Sequence, residues 1–259
     1  MVEVVHELTR SHIQRLAEAG KRIDGRGLEE HRPVTVEKGY IESAEGSARV
    51  HLGATDLLVG VKMELGSPYA DRPESGVLIT VAELRPGASP TFELGPPKPQ
   101  AIELARVVDR GIRATDTVDV AKLGIEPGEK VWLLFIDIHV LDYEGNLFDA
   151  GNYAALAALM NTTVPNATKL GEGKDAPLEV EHQPISVTAA KIGDAIFIDP
   201  SLEEERIADA RLTVITDEKG HIRAMQKGLR GSFTVEEVDQ IVSLSQKIGK
   251  EIRKLIVEA

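Results

Sequence analysis

The side chains in this sequence best suited to chemistry by type and spacing are three arginines. Arg106, Arg110 and Arg113 stand at i, i+4 and i+7, which a 3.6-residue period places within about 60° of one another on one helix face. Ala105, Val108 and Ile112 fall opposite. A planar guanidinium makes paired N–H bonds to phosphate oxygens, so such a stripe suits a polyanion backbone. The same spacing sets Glu103 three residues before Arg106 and Asp109 four before Arg113. On spacing alone, ordinary surface ion pairs worth about 0.3 kcal/mol each are the leading reading.

A second group is acidic. Asp199, Glu203, Glu204, Glu205 and Asp209 fall between two expected strands, where carboxylates can bind a divalent cation or supply a general acid. With no His or Asn ligand beside them, a solvated charged loop is at least as good an account. Asp137 and His139, two apart on a strand, share a face; a hydrogen-bonded histidine at the edge of a sheet is the favoured reading. The seven histidines are scattered singly, without a His-Glu-x-x-His spacing. The absence of cysteine excludes disulfides, thiolate metal sites and a cysteine nucleophile. Gly171-Glu172-Gly173-Lys174 lacks the spacing and following hydroxyl of a phosphate loop and reads as flexible loop. Neither a metal nor a cofactor is expected.

The chain of 259 residues carries 42 acidic and 30 basic side chains, a net charge of -12. A generally basic nucleic-acid binder is thereby excluded, and any phosphate contact must be a local patch. Aromatics make up only 4%, so the core must be built from Val, Ile, Leu and Ala. The first twenty residues contain no apolar signal region, and no apolar run approaches a membrane span, so a soluble cytoplasmic protein is expected. The lack of Cys, with only Asn146, Asn152, Asn161 and Asn166, fits a heat-adapted source.

The elements that must position these groups follow from periodicity. An opening helix, part of an N-terminal extension over residues 1–21, carries Val4, Val5, Leu8, Leu16 and Ala19 mostly on one face and stops at Gly20. After Pro33 the pattern alternates: Val34 and Val36, then Ala48, Val50 and Leu52, then Leu57, Val59, Val61 and Met63 read as three strands, the last two joined by a hairpin at Gly53-Ala54-Thr55. Val77 to Leu84 is a fourth strand, and Pro86 to Pro99, with five prolines and two glycines, is a long loop. The arginine helix spans about Gln100 to Ala114. Lys130 to Leu141 is the most apolar strand, followed by a turn at Asp142 to Asn146. Ala154 to Met160 is a short helix apolar on most sides and hence buried. Residues 166–182 read as a surface loop or linker between two halves of a single domain. Strands then resume at Ile185–Ile192, Ala195–Ile198, Leu212–Thr216 and Ile222–Gln226, and the last helix opens on a capping box, Thr234 with Glu237. Strands before helices, twice over, indicate an α+β fold.

Several blocks together match a known pattern. Arg22-Ile-Asp-Gly-Arg26 with Arg32-Pro33, Gly46-Ser47-Ala48-x-Val50-x-x-Gly53-x-Thr55, Phe92-Glu-Leu-Gly-Pro-Pro97 and Ile102-Glu-Leu-Ala-Arg-Val-Val-Asp-Arg110 resemble the RNase PH family of phosphorolytic 3′-to-5′ exoribonucleases. Within it, the chain looks like the non-catalytic RNase PH-like subunit of the archaeal exosome. The resemblance runs from Arg22 to the final helix. It implies an RNase PH-type fold and a hetero-hexameric ring shared with a catalytic paralogue, topped by RNA-binding cap proteins and degrading single-stranded RNA. It also implies that Arg106 and Arg110 contact RNA phosphates, which lifts that reading above the ion-pair one; Arg113 carries over less clearly.

The departures concern chemistry. Phosphorolysis needs phosphate held by N–H and cationic groups at a helix N-terminus, and an acid to assist the leaving ribose oxygen. Catalytic members of the family place a Gly-Thr-Arg-like loop where Asn146-Leu147-Phe148-Asp149 stands here, and two Asp where Glu205 and Arg211 stand. Leu147 and Phe148 offer no donor, Asp149 repels phosphate, and Arg211 cannot act as an acid. No catalytic residue is therefore expected. The open alternatives are an active exoribonuclease with an altered site and a purely structural ring spacer.

Overall fold

A computed structural model describes residues 7–171 and 173–259. Helix α1 covers Glu7–Glu18 and ends where Gly20, at φ +67°, turns the chain out of the helix, its N–H bonded to the Ala17 carbonyl. Val4 and Val5, expected on the apolar face, lie outside the described residues, as does Glu172. Ile13 and Ala17 of α1 bury against Ile192, Phe197 and Ile207, a small satellite to the main core.

The first sheet contains β1 (Val34–Lys38), β2 (Gly46–Leu52), β3 (Thr55–Gly66), β4 (Val77–Leu84), β5 (Gly124–Glu126) and β6 (Lys130–Asp142). Their order is β1-β2-β3-β6-β4, with β5 paired to the start of β6. Neighbours are antiparallel except β4, which runs parallel to β6 and is joined to it through helix α2 (Pro99–Ala114). The hairpin between β2 and β3 closes at the Leu52 and Thr55 pair, as the turn residues require. Leu57, Val59, Val61 and Met63 all point into the core.

Helix α3 (Leu147–Met160) forms the middle of the molecule, packed on β2 and β3. Two short strands, β7 (Thr163–Val164) and β8 (Ala176–Pro177), pair after it, enclosing a helical turn at Asn166–Leu170. The second sheet holds β9 (Ile185–Ile192), β10 (Ala195–Ile198), β11 (Ala210–Thr216) and β12 (Ile222–Gly228) in the order β10-β9-β11-β12, all antiparallel. Helix α4 (Leu202–Ile207) lies between β10 and β11 in sequence, and α5 (Val235–Glu258) covers β9 and β11. The expected capping box opens α5: Thr234 Oγ1 accepts the Glu237 N–H, and the Glu237 carboxylate accepts the Thr234 N–H.

The other face of α3 meets β9, so one apolar core, from Val34 to Ile256, runs through both sheets. Close approach makes this possible. A Cβ on Gly46 of β2 would lie 2.7 Å from the Ala158 carbonyl and also against Thr162 Oγ1, so only glycine fits there. Among the described residues, no helix is long and apolar enough to cross a membrane.

Two expectations need correction. The helix placed at Ala154–Met160 begins at Leu147, so Asn146–Asp149 is not a free loop but the helix entry. Asn146 sits in the left-handed region at φ 56°, and its side chain accepts the Asp149 N–H, which sets the first turn. Polar residues within that turn hide the start, because a helix buried on every side has no polar face to show its period. The acidic segment after Asp199 is not a solvated loop: it forms α4, and Asp199 and Glu204 are both buried.

Candidate nucleic-acid interface

Helix α2 starts on Pro99, whose missing N–H costs nothing at the first helical position. Ala101, Leu104, Val107, Val108, Gly111 and Ile112 bury one face against β4, α3 and β12. Arg106, Arg110 and Arg113 are thereby turned outward together, all three exposed. Arg106 makes no hydrogen bond or ion pair with any described residue. Arg110 donates to Gln226 Oε1 of β12 over 2.6 Å. Arg113 donates to Asp109 Oδ2 over 2.6 Å and to the Leu78 carbonyl. Of the two ion pairs expected on α2, Asp109 with Arg113 forms. The other does not, because Glu103 accepts instead from Arg211 of β11, 2.6 Å away.

The arginines of the first sequence block have a different task. Arg22, 3% exposed, clasps Glu204 with two N–H groups and donates to the carbonyls of Ile198 and Asp199, each at 2.8 Å. Arg32 holds Asp199 through Nε and Nη2 at 2.8 and 2.7 Å and reaches the Glu144 carbonyl at 2.8 Å. Arg26 adds a contact to Asp199 at 3.1 Å. Asn146 Nδ2 bridges Asp199 and Asp149, both at 2.7 Å, and Asp149 accepts the N–H and hydroxyl of Thr188 at 2.8 Å. Burial would push Asp199 up, but the Arg32 bonds and surrounding positive charge outweigh it and hold the carboxyl well below the usual range. Burial dominates at Asp149 and raises it. This cluster ties the N-terminal segment to the second sheet across the top of α3.

Beside it lie Glu205, Phe148 and Arg211, the positions to which the resemblance assigns the catalytic groups of active members. Glu205 Oε1 accepts the Asn146 N–H at 2.9 Å and Oε2 accepts the Tyr143 hydroxyl at 2.7 Å; burial pushes its carboxyl up. Tyr143 stacks on Phe92, centroids 5.3 Å apart. Phe148 lies under the Arg211 guanidinium, whose carbon is 4.2 Å from the ring centroid. Opposite Arg211 in register is Gly228, where a Cβ would sit 2.7 Å from the guanidinium. The helix entry thus presents a carboxylate, a phenyl ring and a guanidinium whose Nη2 is held by Glu103 and whose buried Nε has no partner among the described residues.

The remaining candidates separate. Glu203 is exposed, and Asp209 pairs with Arg10 at 2.6 Å. Among the described residues no three His, Asp or Glu gather as a metal site. Asp137 and His139 share the outer face of β6, but the nearest carboxylate to His139 Nδ1 is Glu83 of β4 at 3.4 Å. Sequence reasoning treats Arg22 and Arg32 only as signature residues and passes over Tyr143; the motif is visible, but its acidic partners lie far along the chain.

Residues 30–165 match the family model of the 3′ exoribonuclease family, domain 1, and residues 182–248 match domain 2. The chain is 51% identical to the exosome complex component Rrp42 of Thermococcus gammatolerans, over 100% of this chain and 97% of that protein. It is 52% identical to the exosome complex component Rrp42 of Pyrococcus horikoshii, over 99% and 96%. Its fold is similar to a chain of the Archaeoglobus fulgidus exosome with RNA bound to the active site, with a TM-score of 0.92, 48% identity and coverage of 96% and 97%. It is also similar to a chain of an archaeal exosome core, with a TM-score of 0.89, 44% identity and coverage of 96% of each chain. These likenesses agree with the α+β architecture and the sequence blocks: the chain belongs to the RNase PH, or 3′ exoribonuclease, family, in the branch of the exosome complex components Rrp42.

Proposed function

We propose that the chain is a ring subunit of an exosome that performs no chemistry on its own. It alternates with a catalytic RNase PH-like paralogue in a hetero-hexameric ring beneath RNA-binding cap proteins, in the cytoplasm, and its α2 arginines hold the phosphates of single-stranded RNA. Arg106 and Arg110 carry that contact. Arg113, tied to Asp109 and the Leu78 carbonyl, plays the smaller part. The continuous core supports treating residues 1–259 as one domain, with 166–182 as its surface connection.

The observation that carries the non-catalytic reading is the filling of the α3 entry. The Asn146 N–H is taken by Glu205, the Asp149 N–H by the Asn146 side chain, and Nη2 of Arg211, which lies over Phe148, by Glu103. A phosphate there would meet carboxylates and a phenyl ring where it needs donors. The test is turnover of single-stranded RNA with inorganic phosphate. The purified chain is expected to show none, and the ring formed with the catalytic paralogue to degrade RNA. Turnover by the isolated chain that is lost in Glu205→Ala would instead assign an active, altered site.

A further inference from the structure

We propose that Arg211 is a positioning residue for the arginine stripe: by pairing with Glu103 of α2, it leaves Arg106 free to meet an RNA phosphate. This rests on the reading that Arg106 and Arg110 contact the RNA backbone. Helical geometry puts Glu103 on the same stripe, about 60° from Arg106 and about 20° from Arg110. A carboxylate three residues before an arginine is its natural partner. Left to α2 alone, Glu103 would neutralise Arg106 and present negative charge to an approaching phosphate.

The structure places Glu103 elsewhere, 2.6 Å from the Arg211 guanidinium. Arg211 is built into its position. The Phe148 ring lies 4.2 Å from its guanidinium carbon, Gly228 leaves room on the neighbouring strand, and its side chain is only 15% exposed. Asp109, the second carboxylate of the stripe, is held by Arg113 and by the Thr80 hydroxyl at 3.1 Å. Each carboxylate on this face is thus bound by a cation other than Arg106, and Arg106 alone of the three has no partner among the described residues. Arg211, which the resemblance sets at an acidic position of catalytic members, would thus serve the neighbouring helix α2.

The test uses the ring assembled with the catalytic paralogue and measures its affinity for a single-stranded RNA oligomer. Arg211→Gln is expected to weaken binding about two- to fivefold, the size of effect one freed exposed carboxylate can exert on its neighbour. Adding Glu103→Gln to that variant is expected to restore the parental affinity, while Glu103→Gln alone causes no loss. A merely structural Arg211 would lower the melting temperature without any rescue of affinity by Glu103→Gln. Should Arg211→Gln fail to fold, Gly228→Ala displaces the guanidinium by its Cβ and carries the same expectation and the same rescue. Unchanged affinity in these variants, or a loss that Glu103→Gln does not recover, overturns the proposal if Arg106→Gln weakens binding in the same ring. If Arg106→Gln and Arg110→Gln also bind at the parental level, the RNA reading itself fails and the proposal falls with it.

Discussion

Arg32 and Asp199 are joined by two nearly parallel bonds, 2.8 and 2.7 Å long, although 167 residues separate them in the chain. Planar guanidinium against planar carboxylate is the strongest ion-pair geometry available to side chains. Both groups are buried, so each depends on the other for its lost hydration. Arg32→Ala leaves Asp199 to Arg26, Asn146 and the backbone N–H of residue 32, and is expected to cost about 3 kcal/mol, the lower end of what a broken buried pair costs. Urea unfolding at neutral pH measures it; a loss below about 0.5 kcal/mol, the range of ordinary surface substitutions, would show that the pair is dispensable.

Asp217 supplies a dependence on acid. Burial would push it up, but the N–H groups of His221 and Lys219 and the Arg223 guanidinium, all within 2.9 Å, outweigh this and hold it at about 2. An unfolded Asp titrates at about 3.9. Between those values the unfolded chain binds more protons than the folded one, so this contribution is complete above about pH 4 and lost as pH falls toward 2. Asp217→Asn is expected to lower stability at pH 7 and to reduce its loss between pH 4 and 3. Urea midpoints of both proteins at these pH values give the comparison, and parallel curves would rule the contribution out.

Gly46→Ala tests the contact between β2 and α3. The added methyl group meets the Ala158 carbonyl and the Thr162 hydroxyl, and overpacking of this kind costs about 1–3 kcal/mol. Thr162→Ala in the same chain removes the hydroxyl but leaves the Ala158 carbonyl and the backbone of residue 162, so thermal melting is expected to recover in part. Full recovery would mean that the backbone carbonyl can move aside.

The β4 strand lies at the end of its sheet, with β6 on one side and Val81 40% exposed. An open, apolar edge recruits other chains. Without the partners of the proposed ring the chain is expected to self-associate, and Val81→Lys to raise the monomer fraction in light scattering. A monodisperse parental monomer at high concentration would contradict this.

The RNA contact proposed for the α2 arginines has an ionic signature. Removing one phosphate neutralisation on single-stranded RNA reduces the slope of log affinity against log salt by about 0.7. Replacing Arg106 and Arg110 with Glu is expected to flatten the slope for the assembled ring by at least about 1.4, alike for different base sequences, since phosphate contacts carry no sequence information. Arg113→Glu should change it less. Parental slopes in the double variant would leave these residues as ordinary surface charges.

Where periodicity decides the structure, the sequence is readable: Leu57, Val59, Val61 and Met63 alternate into the core, and α2 shows its apolar face and its arginines by spacing alone. Legibility fails where partners are distant. The acidic run after Asp199 reads as solvated because Arg22 and Arg32, which hold Glu204 and Asp199, stand at the other end of the chain. It fails again at α3, whose first turn carries Asn146 and Asp149 into the interior under cover of each other and Thr188. Pairing Glu103 with Arg106 is a sound inference from one helix, and a residue on another element outcompetes it.

The position of α3 between two sheets also sets an order of events at the ribosome. When Met160 emerges, β2 and β3 are already available to one side of the helix, but β9, which covers the other, begins only at Ile185. At about 5–20 residues per second, the nascent chain carries an apolar helix with one bare side for a few seconds. That interval is the point in the protein's life when a chaperone is most useful to it, and it closes when the second sheet docks.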